Sequence, residues 1–137
     1  MLPDVERVLF LKRVGLFADI PGEDLTHVAR VAREESFEPD EEIFAEGDLG
    51  DSLYLIIRGR VRIHKGDRLV ADLGASECFG EMAILDNVVR SASATTVEDT
   101  MCLQLLREDF DEILGEKPAL AFGIIRVLTK RLREAIK

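Results

Sequence analysis

The chain has no tryptophan, and among its 137 residues it has only two histidines and two cysteines. With so few imidazole and thiolate groups, a metal site built on clustered ligands is poorly supplied, so we expect neither a metal nor another cofactor. Cys78 and Cys102 stand singly in apolar surroundings. We interpret them as reduced, buried side chains rather than as a disulfide, which favours the cytoplasm as the compartment.

Positive charge is scarce as well. Eighteen lysines and arginines accompany 27 acidic residues, which gives a net charge of −9. This field would repel a duplex nucleic acid, and the one basic cluster lies near the C-terminus, so we predict no DNA binding by this chain alone. The longest apolar run, residues 53–57, is too short to span a bilayer, and the first ten residues do not resemble a secretion signal.

Apolar residues make up 47% of the chain, enough for one domain with a real core. Residues 1–34 have helical periodicity, 35–107 contain short apolar segments separated by turn residues, and 108–137 are again helical, with a proline suited to a helix start. This pattern predicts an α+β fold: a β-roll (an antiparallel, jelly-roll-like barrel) flanked by N-terminal helices and by a C-terminal lid or dimerisation helix. The predicted strands cover residues 36–38, 43–44, 53–57, 92–97 and 101–106, with a hairpin over residues 61–69 that turns at residues 65–67.

One stretch, residues 78–96 (CFGEMAILDNVVRSASATT), combines features that suit a phosphate site. Gly80 lets the backbone turn tightly, and a short helix over residues 81–85 would present unpaired N–H groups to an anion. Arg90 can add a bidentate clamp, and Ser91 a hydroxyl donor. Glu81 cannot attract a phosphate, but it can accept a hydrogen bond from a sugar hydroxyl. The pattern therefore suits a phosphate and a ribose held close together.

Spacing alone leaves a second interpretation open. Arg90 fits equally well as a surface residue or as a structural partner of Glu81 or Asp86, and Gly80 fits as a simple turn residue. The acidic loop at residues 46–51 lacks the spaced oxygen ligands of a calcium loop, so we interpret it as a solvated turn.

The same stretch resembles a known family. Residues 79–85 (FGEMAIL) and 90–93 (RSAS) closely resemble the phosphate-binding cassette of cyclic nucleotide-binding domains. Such domains occur in regulatory subunits of cyclic-nucleotide-dependent kinases, in gated channels and in bacterial catabolite activator proteins. Residues 46–61 resemble the early strands of the family's roll with their glycine turns, and residues 16–25 resemble its N-terminal helical segment. The resemblance therefore covers nearly the whole chain.

The resemblance implies how the chain is organised and which side chains bind. It implies a single cyclic nucleotide-binding domain over residues 1–137, with the phosphate-binding cassette at 79–93. Arg90 would hold the cyclic phosphate, and Ser91 would donate a further hydrogen bond to it. Glu81 would accept a hydrogen bond from the ribose 2′-hydroxyl.

Backbone groups and an apolar pocket complete the site that the resemblance implies. Gly80, Met82 and Ala83 would offer backbone groups around the ribose and its phosphate. Leu73, with Ile63 across the roll, would line the purine pocket.

Two positions depart from the family's pattern. Val89 precedes the arginine where many relatives have proline, which should alter the stiffness of the loop more than its chemistry. In relatives the last helix often supplies a residue that covers the base. The candidates for this role here are Arg133, Ala135 and Ile136, which leaves open whether the C-terminal helix caps the base.

The residues and the resemblance together predict a regulatory sensor module that binds one cyclic mononucleotide and does no chemistry on it. We favour cAMP over cGMP only slightly, because Ser91 is compatible with both. Binding would shift a two-state equilibrium in which the C-terminal helix closes on the purine. The expected partners are a larger effector or further domains of a longer chain, and the C-terminal helix also suits a homodimer.

Three other interpretations compete with the sensor. A degenerate roll would serve protein docking or dimerisation without binding a nucleotide. A transcription regulator of the catabolite activator type would carry a helix-turn-helix after the long helix, and the net charge is wrong for DNA, which leaves open that the chain is the sensor half of such a protein. A cupin-type enzyme would need clustered metal ligands, which His64 alone cannot supply. The predicted function is therefore non-catalytic.

Overall fold

A computed structural model of the chain describes residues 2–81 and 89–136. The α+β prediction is confirmed, because four α-helices and eight β-strands lie within these described ranges. The chain divides into two compact units. One is a β unit of residues 32–107, and the other is a helical unit drawn from residues 1–31 and 108–137.

The helical unit contains four helices and a short 3₁₀ turn. Helix α1 (Asp4–Arg13) has acidic residues in its first turn and basic residues in its last, which suits the helix dipole. The 3₁₀ turn covers Gly15–Phe17, and α2 covers Gly22–Val31. After the sheets come α3 (Arg107–Glu116) and α4 (Pro118–Ala135). Helix α4 begins with the proline that the sequence predicted for a helix start.

The long helix α4 has a buried and an exposed set of apolar residues. Leu120, Ile124 and Val127 are buried. On the surface side, Lys130 Nζ lies 3.0 Å from Asp19 Oδ2 in the segment after the 3₁₀ turn. The hydrogen bond from Lys130, followed by its charge, lowers the pKa of the Asp19 carboxyl. The exposed apolar residues of the helix and its C-terminal end are Phe122, Ile125, Leu128, Leu132 and Ile136.

The β unit consists of two antiparallel four-stranded sheets. Its strands are β1 Arg33–Phe37, β2 Glu42–Phe44, β3 Ser52–Arg58, β4 Val61–Lys65, β5 Arg68–Leu73, β6 Cys78–Phe79, β7 Ser93–Thr96 and β8 Thr100–Leu106. The sheet orders are β1-β8-β3-β6 and β2-β7-β4-β5. Every predicted strand is present, although β1 begins three residues earlier than predicted. The two-residue strand β6 was not predicted, because two residues carry no periodic signal.

Apolar side chains from both sheets meet in one core. Tyr54 on β3 and Phe79 on β6 stack with their ring centroids 5.2 Å apart, and the two residues also pair in the sheet. Val61 and Ala94 approach this cluster from the other sheet. Because β6 is bound to the buried strand β3, the chain enters the cassette at a defined point beside the core.

The described part of the chain holds neither a membrane-spanning helix nor a cluster of metal ligands. None of its helices combines the length and the hydropathy needed to cross a bilayer. Within residues 2–81 and 89–136, no three histidine, cysteine, aspartate or glutamate side chains lie close enough together to hold a metal ion.

Candidate functional site

A cavity of about 280 Å³ opens on the β unit beside β6. Ligand pockets in proteins usually begin at roughly 300 Å³, so the cavity suits one small molecule. Six of the eight predicted site residues line it: Ile63, Leu73, Gly80, Glu81, Arg90 and Ser91. The other two, Met82 and Ala83, lie outside the described residues, as does most of the helix predicted at 81–85.

Arg90 is the charged group most deeply buried in this cavity, with only 5% of its surface exposed. Its Nη1 donates to the Gly80 carbonyl oxygen at 3.1 Å, and its Nη2 donates to the Ser52 carbonyl oxygen at 2.8 Å. Its Nε–H has no hydrogen-bond partner among the described residues. The guanidinium is therefore held at two points, and two of its five N–H donors are used among the described residues.

The electrostatic setting of Arg90 is unfavourable to a bare charge. Burial lowers the pKa of its guanidinium, and the nearby Tyr54, Asp51 and Asp48 act in the opposite direction. An arginine nevertheless keeps its charge in a protein. Both hydrogen bonds go to neutral carbonyls, so they orient the charge without neutralising it.

The backbone of Arg90 is clamped by the loop at residues 46–51. The Arg90 N–H donates to the Asp48 carbonyl oxygen at 2.7 Å, and the Gly47 N–H donates to the Arg90 carbonyl oxygen at 2.8 Å. Leu49 and Val89 form an antiparallel bridge next to these bonds. The sequence predicted only a solvated turn here and gave no sign that this turn forms hydrogen bonds with the backbone of the arginine.

Gly80 lies where an added side chain would crowd the Arg90 guanidinium and the Ser52 carbonyl. Its φ is +84°, a backbone conformation that residues with a side chain rarely adopt. A Cβ at this position would lie 2.5 Å from Arg90 Nη1 and 3.2 Å from the Ser52 carbonyl oxygen. The glycine therefore lets the chain pass close to the guanidinium and offer it a carbonyl.

The apolar wall of the cavity comes from β4 and β5. Ile63 pairs with Ala71 in the sheet, and Val61 pairs with Leu73. The expectation that Leu73 and Ile63 face each other across the roll was wrong, because their strands are neighbours in one sheet. Since they are diagonal neighbours on that hairpin, both still line the cavity from the same side.

Sequence reasoning missed several residues of the cavity. The most informative is Phe44, whose ring centroid lies 4.1 Å from Arg90 Cζ. Nothing in the sequence pairs these two positions, although Phe44 does precede the loop that clamps the arginine. The other lining residues that were not predicted are Ala71, Cys78, Phe79, Val89 and Ala92.

The two cysteines differ in their surroundings. Cys102 on β8 is fully buried, as predicted, and burial raises the pKa of its thiol to about 12. Cys78 is only half-buried, so the prediction that both are buried was wrong for this residue. The reason is its place on β6, an edge strand beside an open cavity. Neither cysteine is part of a disulfide.

Comparison with known proteins identifies this arrangement. The family model of the cyclic nucleotide-binding domain matches residues 34–117, which include every described residue of the cavity. The chain belongs to the cyclic nucleotide-binding domain family. The family resemblance read from the cassette is thereby confirmed.

Two similar proteins set this cyclic nucleotide-binding domain in context. It is 48% identical over 98 residues to the cyclic AMP receptor protein of Thermus thermophilus, and the match covers 68% of this chain and 45% of that protein. It is 33% identical over 118 residues to a cGMP-dependent protein kinase of Toxoplasma gondii, and the match covers 86% of this chain and 12% of the kinase. The chain thus spans less than half the length of either relative.

A solved structure matches a larger share of the chain. The N-terminal domain of a transcriptional regulator from Streptomyces coelicolor superposes with a TM-score of 0.84 at 29% identity. The match covers 92% of this chain and 94% of that one. The two-sheet unit and the helical unit are therefore found together in an experimentally solved relative.

Proposed function

We propose that this cyclic nucleotide-binding domain is a non-catalytic regulatory sensor that binds one cyclic mononucleotide and prefers cAMP to cGMP. In this proposal the bound nucleotide favours one of two conformations of the domain, which an attached domain or a partner protein then detects. The observation that carries the proposal is the buried guanidinium of Arg90, whose two side-chain hydrogen bonds among the described residues both go to neutral carbonyls.

Burying a charge is costly unless it is paired and hydrogen-bonded. Arg90 is anchored by two neutral carbonyls and has an unused Nε–H, so an anion would complete its hydrogen bonding. A planar guanidinium with free donors on one edge suits two phosphate oxygens. These features support a bound phosphate beside Arg90 better than a structural ion pair with Glu81, while Asp86 lies outside the described residues.

The rest of the cavity suits the other two parts of the nucleotide. Glu81 and Ser91 line it close to Arg90 and offer an acceptor for a ribose hydroxyl and a hydroxyl donor for the phosphate. Ile63 and Leu73 offer apolar surface to a purine ring. Guanine has more polar groups than adenine, and burying a polar group that has no hydrogen-bond partner costs free energy. An apolar wall therefore favours adenine.

The proposal is tested by calorimetric titration of the purified domain with cAMP, cGMP and 5′-AMP. We expect cAMP to bind with a dissociation constant in the micromolar range or tighter, and cGMP more weakly. Binding of 5′-AMP should be weakest, because its phosphate is not tied back to the ribose. If the folded domain gives no binding signal with either cyclic nucleotide, the sensor proposal is wrong and a docking or dimerisation module remains. Tighter binding of cGMP would reverse only the ligand preference.

Thiol labelling gives an independent test of where the ligand binds. Cys78 lines the cavity, whereas Cys102 is buried with a pKa of about 12 and so has almost no thiolate at neutral pH. We expect a maleimide to label Cys78 in the folded protein and to leave Cys102 unmodified, as peptide mass spectrometry would show. Saturating cAMP should slow the labelling of Cys78 by about tenfold or more, because the occupied cavity excludes the reagent. Labelling that cAMP leaves unchanged would place the ligand elsewhere.

A further inference from the structure

The geometry points to Phe44 as a positioning residue for Arg90, which holds the guanidinium ready for the phosphate through a cation–π contact. This inference rests on the proposed function and adds to it a determinant of affinity that lies outside the cassette. The sequence assigned Phe44 only to a strand. In the structure it ends β2 and lines the same cavity as the arginine.

The first observation is the contact itself. Arg90 Cζ lies 4.1 Å from the centroid of the Phe44 ring, well inside the range of about 6 Å for a cation–π contact. The contact is worth more when the cation is desolvated, and Arg90 is 95% buried, since 5% of its surface is exposed. The negative face of the ring partly offsets a charge that both carbonyl anchors leave uncompensated.

The second observation is that the Phe44 ring is itself held in place. It packs against Tyr54 at 6.1 Å and against Phe79 at 5.8 Å between ring centroids. Tyr54 and Phe79 are stacked on each other in the core of the β unit. The ring is thus a fixed platform, and the guanidinium lies against it instead of moving freely.

The third observation concerns the directions that remain open to the guanidinium. Gly80 and Ser52 accept hydrogen bonds from its Nη1 and Nη2, and the ring covers one of its faces. Nε–H has no partner among the described residues, and Nη1 and Nη2 each carry a second N–H, so these are the donors that remain for a ligand. A preorganised donor set binds an anion more tightly than a mobile one, because less conformational entropy is lost on binding.

The chain offers a matched control in Phe37. This residue packs against the same core and makes an edge contact with Tyr54 at 6.4 Å, but it does not line the cavity. Replacing either phenylalanine with leucine removes a ring of the same cluster. Only Phe44→Leu removes the ring beneath the guanidinium, so a difference between the two variants isolates that contact.

The decisive experiment is a double-mutant cycle between Phe44 and Arg90, read out as cAMP affinity by calorimetry. We expect Phe44→Leu to weaken cAMP binding by about tenfold when Arg90 is present, and Phe37→Leu by less than about twofold. In an Arg90→Gln background, Phe44→Leu should cost less than about twofold, because its effect passes through the arginine. Thermal unfolding of each variant establishes that it is folded, and Phe44→Met replaces Phe44→Leu if the latter is not.

Each outcome decides between named alternatives. An equal loss from Phe44→Leu in both backgrounds would mean that the ring merely shapes the cavity, and the positioning role would be wrong. A loss from Phe37→Leu as large as that from Phe44→Leu would likewise overturn it, in favour of general packing. If the wild-type domain itself does not bind cAMP, the proposed function fails, and the role of Phe44 fails with it.

Discussion

Replacing Arg90 with glutamine is expected to lower the affinity of the domain for cAMP by at least about a hundredfold. Hydrogen bonds to charged groups contribute roughly 1.5–3 kcal/mol each, and a phosphate can accept two of them from one guanidinium. Calorimetry or displacement of a fluorescent cAMP analogue would measure the loss. A variant that keeps wild-type affinity would show that Arg90 does not hold the phosphate.

The same substitution should have little effect on the stability of the ligand-free domain. Glutamine removes a buried charge, which favours the fold, but it loses at least one of the two hydrogen bonds to the Gly80 and Ser52 carbonyls and the attraction to Asp48 and Asp51, which opposes it. These changes act in opposite directions, so we expect the free energy of unfolding to change by about 1 kcal/mol or less. Urea unfolding in the absence of nucleotide would measure this change. A large loss of stability would instead favour a structural role for Arg90.

Arg7 provides the control for Arg90. It is buried to a similar degree, 6% exposed against 5%, and its Nη1 donates to the Ala29 carbonyl oxygen at 2.8 Å within the helical unit. Arg7 does not line the cavity, so Arg7→Gln should leave the cAMP affinity of the folded protein within about twofold of wild type. Loss of a buried arginine would then reduce binding only at Arg90.

The contrast between local and distant contacts explains how much of the site the sequence could predict. Gly80, Glu81, Arg90 and Ser91 lie within twelve consecutive positions, so their residue types and spacing were enough to suggest a phosphate and a ribose. All four line one cavity in the structure. Their individual roles in binding remain predictions, which the substitutions at Arg90 and Gly80 address.

Contacts between distant positions could not be predicted in this way. Ser52 is separated by 38 positions from the arginine to which it offers its carbonyl. Phe44 reaches Arg90 only because β2 pairs with β7 just after the cassette. The diagonal placement of Ile63 and Leu73 depends on the register of β4 and β5, which a one-residue slip would change. Hydrophobic periodicity predicts the existence of such strands but not which side chains meet between them.

The other large effect is expected at Gly80, where alanine should weaken cAMP binding by about thirtyfold, equivalent to roughly 2 kcal/mol for overpacking in a filled site. The added Cβ would lie 2.5 Å from Arg90 Nη1. The end of a long side chain can move away more easily than backbone can. The fold should therefore tolerate the alanine, while the guanidinium loses the position from which it contacts the phosphate.

This reasoning predicts that Gly80→Ala separates binding from stability, and Gly66→Ala is the matched control. Gly66, in the β4–β5 hairpin, also has a positive φ of +58°, but a Cβ there would meet nothing within 4 Å. Both substitutions carry the left-handed strain of about 1 kcal/mol, so both should lower the melting temperature modestly. Only Gly80→Ala should reduce the affinity for cAMP. Equal affinities of the two variants would mean that the close approach of Gly80 to Arg90 has no part in binding. A loss of affinity at Gly80 alone would mean that this close approach is a determinant of phosphate recognition.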